Sequence, residues 1–294
     1  MLEKEMVKII KASYPNLPVQ EVNLNTKGWD NDVLIVNKDV VFRFPKTLEI
    51  RKKVLKEASI LKLLKTKDPL VRIPNYELVY RDGEFVGVTY SYLKGSSLSE
   101  CKEDNIHDNL DNAVLIGDFL TKLHTIDLSE IGDIGRIHTD AYWDNLYKSV
   151  KDHILPNINR SIQKEVEDLF EQFLCADQVP INTIIHGDLT TSNIIYNHEE
   201  NVINGVIDFT DTQWGDPAFD FAGLYWSYGP GFTKEVLASY RTEEDKESLF
   251  ERVQSFYGLQ PIFHNVLFAI ENNQTINWDT AFERFTYLHS FRSS

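Results

Sequence analysis

Ile185-His186-Gly187-Asp188-Leu189-Thr190-Thr191-Ser192-Asn193-Ile194-Ile195-Tyr196, followed by Gly205-Val206-Ile207-Asp208-Phe209-Thr210-Asp211, is the pair of segments from which the rest of the chain can be understood. Asp188 sits in a loop after a short apolar strand. Asn193 lies five residues on, where the loop turns into the next strand, and Asp208 ends a further strand twenty residues after Asp188. Two strands joined through a hairpin bring Asn193 and Asp208 to the same rim. Taken alone, His-Gly-Asp is common in turns, and Ile-Asp-Phe is usually a strand that ends in a solvated acid. Both together, each bounded by apolar strands and correctly spaced, form a specific pattern.

That pattern matches the needs of phosphoryl transfer. One carboxylate must orient an attacking hydroxyl and accept its proton, while a second carboxylate and a neutral oxygen ligand hold Mg²⁺ against a triphosphate. Asp188 fits the first role, and Asp208 with Asn193 the second. The transition state is loose and needs little prior deprotonation, so an ordinary carboxylate suffices as base.

Here the chain resembles the aminoglycoside phosphotransferases and their relatives in the protein-kinase-like superfamily, whose catalytic loop reads His-Gly-Asp-x-x-x-x-Asn and whose metal loop reads Ile-Asp-Phe or Ile-Asp-Trp. Trp214-Gly215-Asp216-Pro217-Ala218-Phe219-Asp220-Phe221-Ala222 matches the family's Gly-Asp-Pro-x-x-Asp-Leu-Ala stretch. The resemblance covers residues 20–225 in outline, with sharp motifs only between 184 and 222. It implies an α+β, bilobal kinase-like fold with nucleotide at the hinge. It also implies that Asp220 braces the catalytic loop, and His186 is read as a brace too.

Working outward, the N-terminal third alternates in the manner of strands, with one helical stretch. Met6, Ile9 and Ile10 have helical spacing, which stops before Pro15. Strands are expected near Val22, at Val33–Val36 and at Val40–Phe44, separated by turns at Asn25–Asp32 and Asn37–Asp39. Ile50, Val54, Ile60, Leu61 and Leu64 mark a helix, and Tyr76–Tyr80 and Phe85–Tyr90 form a hairpin about Asp82-Gly83. Small and polar residues at 91–99 suit a connector, and beyond about residue 105 the chain reads as mostly helical. The expected division is 1–90 (N-lobe, nucleotide), 91–99 (hinge) and 100–294 (C-lobe, catalysis and acceptor).

Triphosphate oxygens need a cation on a rigid strand, positioned by an acid on the neighbouring helix. Arg43 and Glu57 are the candidates. Many relatives carry Lys at the first position, which leaves Lys46 as an alternative. Alternation favours Arg43, opposite Phe42 and Phe44. The triphosphate-covering turn holds one glycine, Gly28, and is not Gly-rich. At the hinge, Ser91 and Leu93 are placed to offer backbone groups to a base, with Tyr90 behind it; the alternative is that Tyr90 and Tyr92 only pack the hairpin. A bulky Tyr90 resembles the 2″-type branch, some of whose members prefer GTP, and the choice between ATP and GTP stays open.

Net charge is −15, which argues against nucleic acid as a partner. Residues 1–95 carry 17 Lys+Arg against 12 Asp+Glu (+5), leaving 13 against 33 (−20) in the remainder. A neutral-to-basic part that holds an anion and an acidic part that attracts a cation follow from that asymmetry. Asp211, Tyr225 and Trp226 are the acceptor candidates, with Glu271 unplaced. The aromatic run 224–230 stands where the 2″-type enzymes have acidic residues. It suits stacking on a sugar or cation–π contact, and equally a larger apolar acceptor. An aminoglycoside is therefore the first reading of the acceptor, with a macrolide, choline-like or metabolic hydroxyl as the second. A catalytically silent binding module is the third, opposed by the intact Asp188, Asn193 and Asp208. Two cysteines, a charge-laced N-terminus and no long apolar run point to the cytoplasm and to no membrane partner; a monomer is the default expectation, since these features give no oligomeric state.

Overall fold

The computed structural model describes residues 3–26, 30–101, 106, 109–127, 129, 131, 132, 134–176, 181 and 183–293. Gly28 lies outside them. The N-terminal region is an antiparallel sheet built from β1 (Val22–Asn25), β2 (Asn31–Val36), β3 (Val40–Pro45), β4 (Glu77–Arg81) and β5 (Glu84–Ser91), in the order β1-β2-β3-β5-β4. Two helices flank it, α1 (Glu3–Ser13) and α2 (Leu48–Thr66).

Period-2 alternation decides which face each residue takes. Phe42 and Phe44 of β3 pack with Leu34, Val36, Val79 and the Met6, Ile9 and Ile10 stripe of α1. Arg43, between them, points the other way, where Ile50 and Val54 of α2 cover Val88. The β2–β3 turn carries two consecutive left-handed residues, Asn37 (φ 55°) and Lys38 (φ 54°), and β4–β5 does the same with Asp82 (φ 52°) and Gly83 (φ 83°). Backbone of this hand matches the twist of a hairpin, so a link of three residues (37–39) suffices in the first and of two (82–83) in the second. β2 starts at Asn31, so the turn expected across Asn25–Asp32 is shorter than the sequence suggested.

α2 begins at Thr47, whose hydroxyl accepts from Ile50 N (3.2 Å). Its buried face is Ile50, Val54, Glu57, Ile60, Leu61 and Leu64. Glu57 is thus a carboxylate in an apolar stripe, and a charge in that register is kept only when it is paired.

The C-terminal region is mainly helical: α3 (Leu110–His124), α4 (Asp140–His153), α5 (Arg160–Cys175), α6 (Ala222–Ser239), α7 (Lys246–Arg252), α8 (Pro261–Glu271) and α9 (Glu283–His289). Its core is continuous from Ile116, Phe119 and Leu120 of α3 through Val166, Leu169 and Phe170 of α5 to Phe263 and Phe285. Two small sheets are set into it. β7 (Thr183–Ile185) pairs with β10 (Gln213–Gly215), and β8 (Ile194–Asn197) lies between β9 (Val202–Val206) and a two-residue β6 (Ser96–Ser97). The connector therefore ends as a strand on the β8–β9 hairpin. Asn204 Nδ2 donates to Lys94 O (2.6 Å), and Arg72 exchanges backbone hydrogen bonds with Asn204 (3.0 Å) and Val206 (3.0 Å). Leu93 packs so closely on Gly205 that a Cβ there would meet its Cδ2 at 2.3 Å. Among the described residues no helix is long and apolar enough to cross a membrane.

Candidate active site

The β8–β9 hairpin does what the spacing implied. Ile194 pairs with Val206, and Ile207 N donates to Asn193 O (2.9 Å), so the loops holding Asn193 and Asp208 lie side by side. Asn193 Nδ2 donates both to the Asp188 carbonyl (2.8 Å) and to Asp188 Oδ2 (2.8 Å). With both amide protons turned to Asp188, the Asn193 side-chain oxygen faces the other way, available to a cation. The loop between the two residues is thereby tied at both ends.

Gly187 has φ +79°, and a Cβ there would stand 2.3 Å from Asp211 O. Only glycine serves, which explains the middle residue of His-Gly-Asp. Beneath the loop, Asp220 Oδ2 accepts from His186 N (2.7 Å) and its Oδ1 from Gly187 N (2.9 Å). His124 Nε2 meets the same carboxylate at 3.0 Å. Burial opposes ionisation of Asp220, but His124, His186 and the loop amides outweigh it and hold its carboxyl below the usual range. His186 itself receives the Asp188 amide on Nδ1 (3.3 Å) and contacts Ile207 O through Nε2 (3.1 Å). An amide only donates and a carbonyl only accepts, so the ring is neutral with its proton on Nε2. Burial lowers its pKa in keeping with that.

From the sheet, Arg43 reaches into the same space, only 4% exposed. Its Nη1 donates to Glu57 Oε1 (2.9 Å) and to the Tyr76 hydroxyl. Its Nη2 donates to Asp208 Oδ1 (3.1 Å) and Thr210 Oγ1 (2.9 Å). Glu57 Oε1 also accepts from Phe209 N (3.0 Å), which locks α2 to the Asp208 loop. Lys46 points elsewhere, to Thr26 O (3.0 Å) and Asp32 (3.7 Å) at the root of the β1–β2 turn. Of the two basic candidates, the structure brings Arg43 to the carboxylates.

The two acids titrate oppositely. For Asp188, burial first, then the charges of Asp208 and Asp211, push its pKa up to about 7. For Asp208, burial is overcome by Arg43 and the Thr210 hydroxyl (2.8 Å), and its carboxyl is held low. Two neighbouring carboxylates driven apart in this way suit separate roles, one for a proton and one for a fixed charge. Asp208 adopts φ +63°, left-handed for a residue with a side chain, a conformation that clusters at ligand-holding sites. Asp208 and the Asn193 oxygen form an all-oxygen donor pair, the kind a hard cation such as Mg²⁺ prefers. No group of three or more His, Cys, Asp or Glu able to hold a metal occurs among the described residues.

The remaining candidates divide. Tyr90 packs on Tyr76 with ring centroids 5.2 Å apart, and burial raises its pKa to about 12. Ser91 and Leu93 flank Tyr92, whose amide donates to Asp39 O (2.7 Å). Asp211 lies 3.6 Å from Lys53 of α2. Tyr225 must be corrected. It is 0% exposed, its hydroxyl donates to Leu288 O (3.4 Å), and a Cβ on Gly258 would touch its ring at 2.4 Å, so it is core and unable to stack on an acceptor. Trp226 is only partly buried and packs beside that core, its carbonyl held by Arg284 (2.9 Å). Missed from the sequence were Thr210, Tyr76, His124 and Lys53. Thr210, inside the Asp-Phe-Thr-Asp run, is the one with a local signal.

Comparison with known proteins agrees with this geometry. Viomycin phosphotransferase of Streptomyces vinaceus is 27% identical over 100 residues, which are 33% of this chain and 34% of that protein, so the match spans about a third of its length. Among solved structures, the GDP complex of wild-type aminoglycoside 2'-phosphotransferase-IIIa superposes with a TM-score of 0.76 at 22% identity, covering 99% of both chains. The apoenzyme of a macrolide 2'-phosphotransferase from Brachybacterium faecium gives 0.66 at 16% identity over 96% of this chain and 97% of that one. At such identities the likeness establishes the fold, an α+β kinase-like architecture. A sequence profile described as the phosphotransferase enzyme family matches residues 21–254, a span that runs from the first strand of the sheet past the Asp220 brace, and the chain belongs to that family.

Proposed function

We propose that this protein transfers the γ-phosphoryl group of ATP or GTP to a hydroxyl of an aminoglycoside. The reading rests on one observation above all: Asn193 holds Asp188 (2.8 Å) and Arg43 holds Asp208 (3.1 Å), and the Ile207 N–Asn193 O bond (2.9 Å) sets these two pairs, drawn from three separate segments, side by side. Asp188 Oδ orients the acceptor hydroxyl and takes its proton as the new oxygen–phosphorus bond forms and the bond to the β-phosphate bridge breaks. Arg43, positioned by Glu57, meets the phosphates, and Tyr90, Ser91 and Leu93 line the base. When bound, Mg²⁺ on Asp208 and Asn193 supplies charge neutralisation for the triphosphate. The functional division is 1–90 for nucleotide, 91–99 as connector and 100–294 for catalysis and acceptor. The acidic charge beyond residue 95, the kanamycin complex of a related structure and the viomycin relative support a cationic acceptor. The same reading takes the protein as a cytoplasmic monomer without membrane partners, and its net charge of −15 supports the lack of a nucleic-acid partner.

One observation favours a second acceptor class, a macrolide or other less cationic hydroxyl: Asp211 already has a counter-charge in Lys53. A mass-spectrometric screen tests both. Kanamycin, gentamicin, viomycin, a macrolide and choline are incubated with Mg²⁺ and ATP or GTP, and phosphorylated products are sought. A phosphorylated aminoglycoside supports the first reading and a phosphorylated macrolide the second. Tight nucleotide binding with no product from any acceptor would leave a binding module instead.

A further inference from the structure

The partners of the buried guanidinium point to a residue outside the expected machinery. We propose that Tyr76 is a positioning residue which, by fixing one edge of the Arg43 guanidinium on Glu57, lets an arginine handle the nucleotide phosphates where many relatives use a lysine. The proposal rests on the phosphate-binding reading of Arg43 given above.

A lysine ammonium gathers its donors at one point, and a single carboxylate can hold it. A guanidinium spreads N–H groups across a rigid fork, and each one buried without a partner is costly. Arg43 is 4% exposed, so the fork must be satisfied internally. Nη2 finds Asp208 and Thr210, both on the loop below. Nη1 finds Glu57 Oε1, and its second partner is the Tyr76 hydroxyl.

That hydroxyl serves both as acceptor and as donor: it receives Nη1 and gives its own proton to Glu57 Oε1 (2.7 Å). Arg43, Glu57 and Tyr76 therefore form a closed triangle. The triangle is anchored on three separate elements: β3, α2 and the segment entering β4. Beyond it, the Tyr76 ring packs on Tyr90, so the triangle is backed by the wall behind the expected base site. With Nη1 held by two partners and Nη2 by two more, the fork is fixed from both edges, and the Nη2 edge is the one turned to the Asp208 loop. Without the hydroxyl, Nη1 keeps Glu57 alone, so once Nη2 exchanges Asp208 and Thr210 for phosphate a single bond is left to fix the fork. A lysine at 43 has no such edge to fix.

The test is a four-protein cycle: wild type, Tyr76→Phe, Arg43→Lys and the double variant. Each is followed by thermal melting and by titration with Mg-ATP and Mg-GTP. Tyr76→Phe is expected to weaken nucleotide binding about tenfold, the scale of one hydrogen bond to a charged group. In the Arg43→Lys background the same change is expected to alter binding by less than about twofold, because the group it positions is gone. Equal losses in both backgrounds, or wild-type affinity in folded Tyr76→Phe, would overturn the proposal. If Tyr76→Phe alone does not fold, the Arg43→Lys pair still decides: a folded double variant with the affinity of Arg43→Lys supports the coupling, and an unfolded or weaker one refutes it. Wild-type protein that binds neither nucleotide sinks the phosphate-binding reading itself, a result distinct from a failed cycle.

Discussion

Asp188→Asn should make the metal- and nucleotide-free protein more stable at pH 8. An unfolded aspartate titrates near 3.8, whereas burial and the charges of Asp208 and Asp211 bring the folded carboxyl to about 7. Between these values the folded chain binds a proton that the unfolded chain has released, so acid favours folding there. The stability tied to this group is full below the unfolded pKa and is lost as pH rises through about 7. A shift of that size corresponds to roughly 4 kcal/mol at about 1.4 kcal/mol per unit, and solvent reaching the half-buried carboxyl reduces it to about 2 kcal/mol. Asparagine keeps the shape and can still accept from Asn193 Nδ2, so the variant recovers that amount at pH 8. For a chain of this length the gain is about 4 °C in Tm. Thermal melts in a chelating buffer from pH 8 to pH 5 read the effect, and the gap between variant and wild type should narrow steadily as the pH falls across that range. A variant no more stable than wild type at pH 8, or a gap that does not change with pH, would refute the argument that Asp188 carries an electrostatic penalty for its role.

If Asp188 is the proposed base, Asp188→Ala is expected to abolish transfer while leaving nucleotide affinity within a few fold, measured by titration, because on that proposal the carboxylate acts on the acceptor. Asp208→Ala should instead remove the Mg²⁺ dependence of nucleotide binding, and an unchanged response to the metal would count against its assignment. Gly187→Ala, with its Cβ directed at Asp211 O and φ +79°, should destabilise the fold by about 2–3 kcal/mol in denaturant melts and eliminate turnover. For a polycationic acceptor, KM should rise with ionic strength as screening shortens the field of the acidic region; a KM insensitive to salt points to the less charged acceptor class.

The geometry of the Asp188 loop was legible because much of it is local: Asn193 bonds Asp188 five positions away, and Gly187 takes a left-handed backbone angle. Arg43 was legible for a similar reason, since alternation along β3 decides its face. Glu57 fell on the expected helix, and its place in a buried stripe marks it as paired. What the sequence could not show is carried by contacts between distant positions. Tyr76 meets Arg43 across 33 residues, and His124 meets Asp220 across 96. Neither belongs to a motif. Tyr225 was misread because an aromatic run looks alike whether it lines a pocket or fills a core. The residue that settles it, Gly258, leaves room for the ring from beyond the end of α6. The two-residue β6 had no sequence signature at all, because a strand so short exists only by virtue of the hairpin it joins.

The hydrogen bond from Arg43 Nη2 to Asp208 Oδ1 has a thermodynamic corollary. In the ligand-free protein the cation proposed to meet phosphate and the anion proposed to hold the metal neutralise each other. A divalent ion arriving alone must compete with a guanidinium for its carboxylate, and a bare nucleotide must compete with a carboxylate for its guanidinium. The metal–nucleotide complex meets both demands in one exchange, giving each partner a new counter-ion as the old one leaves. Affinity for the complex should therefore exceed what the separate affinities of ion and nucleotide would suggest, a heterotropic cooperativity built into one swapped ion pair.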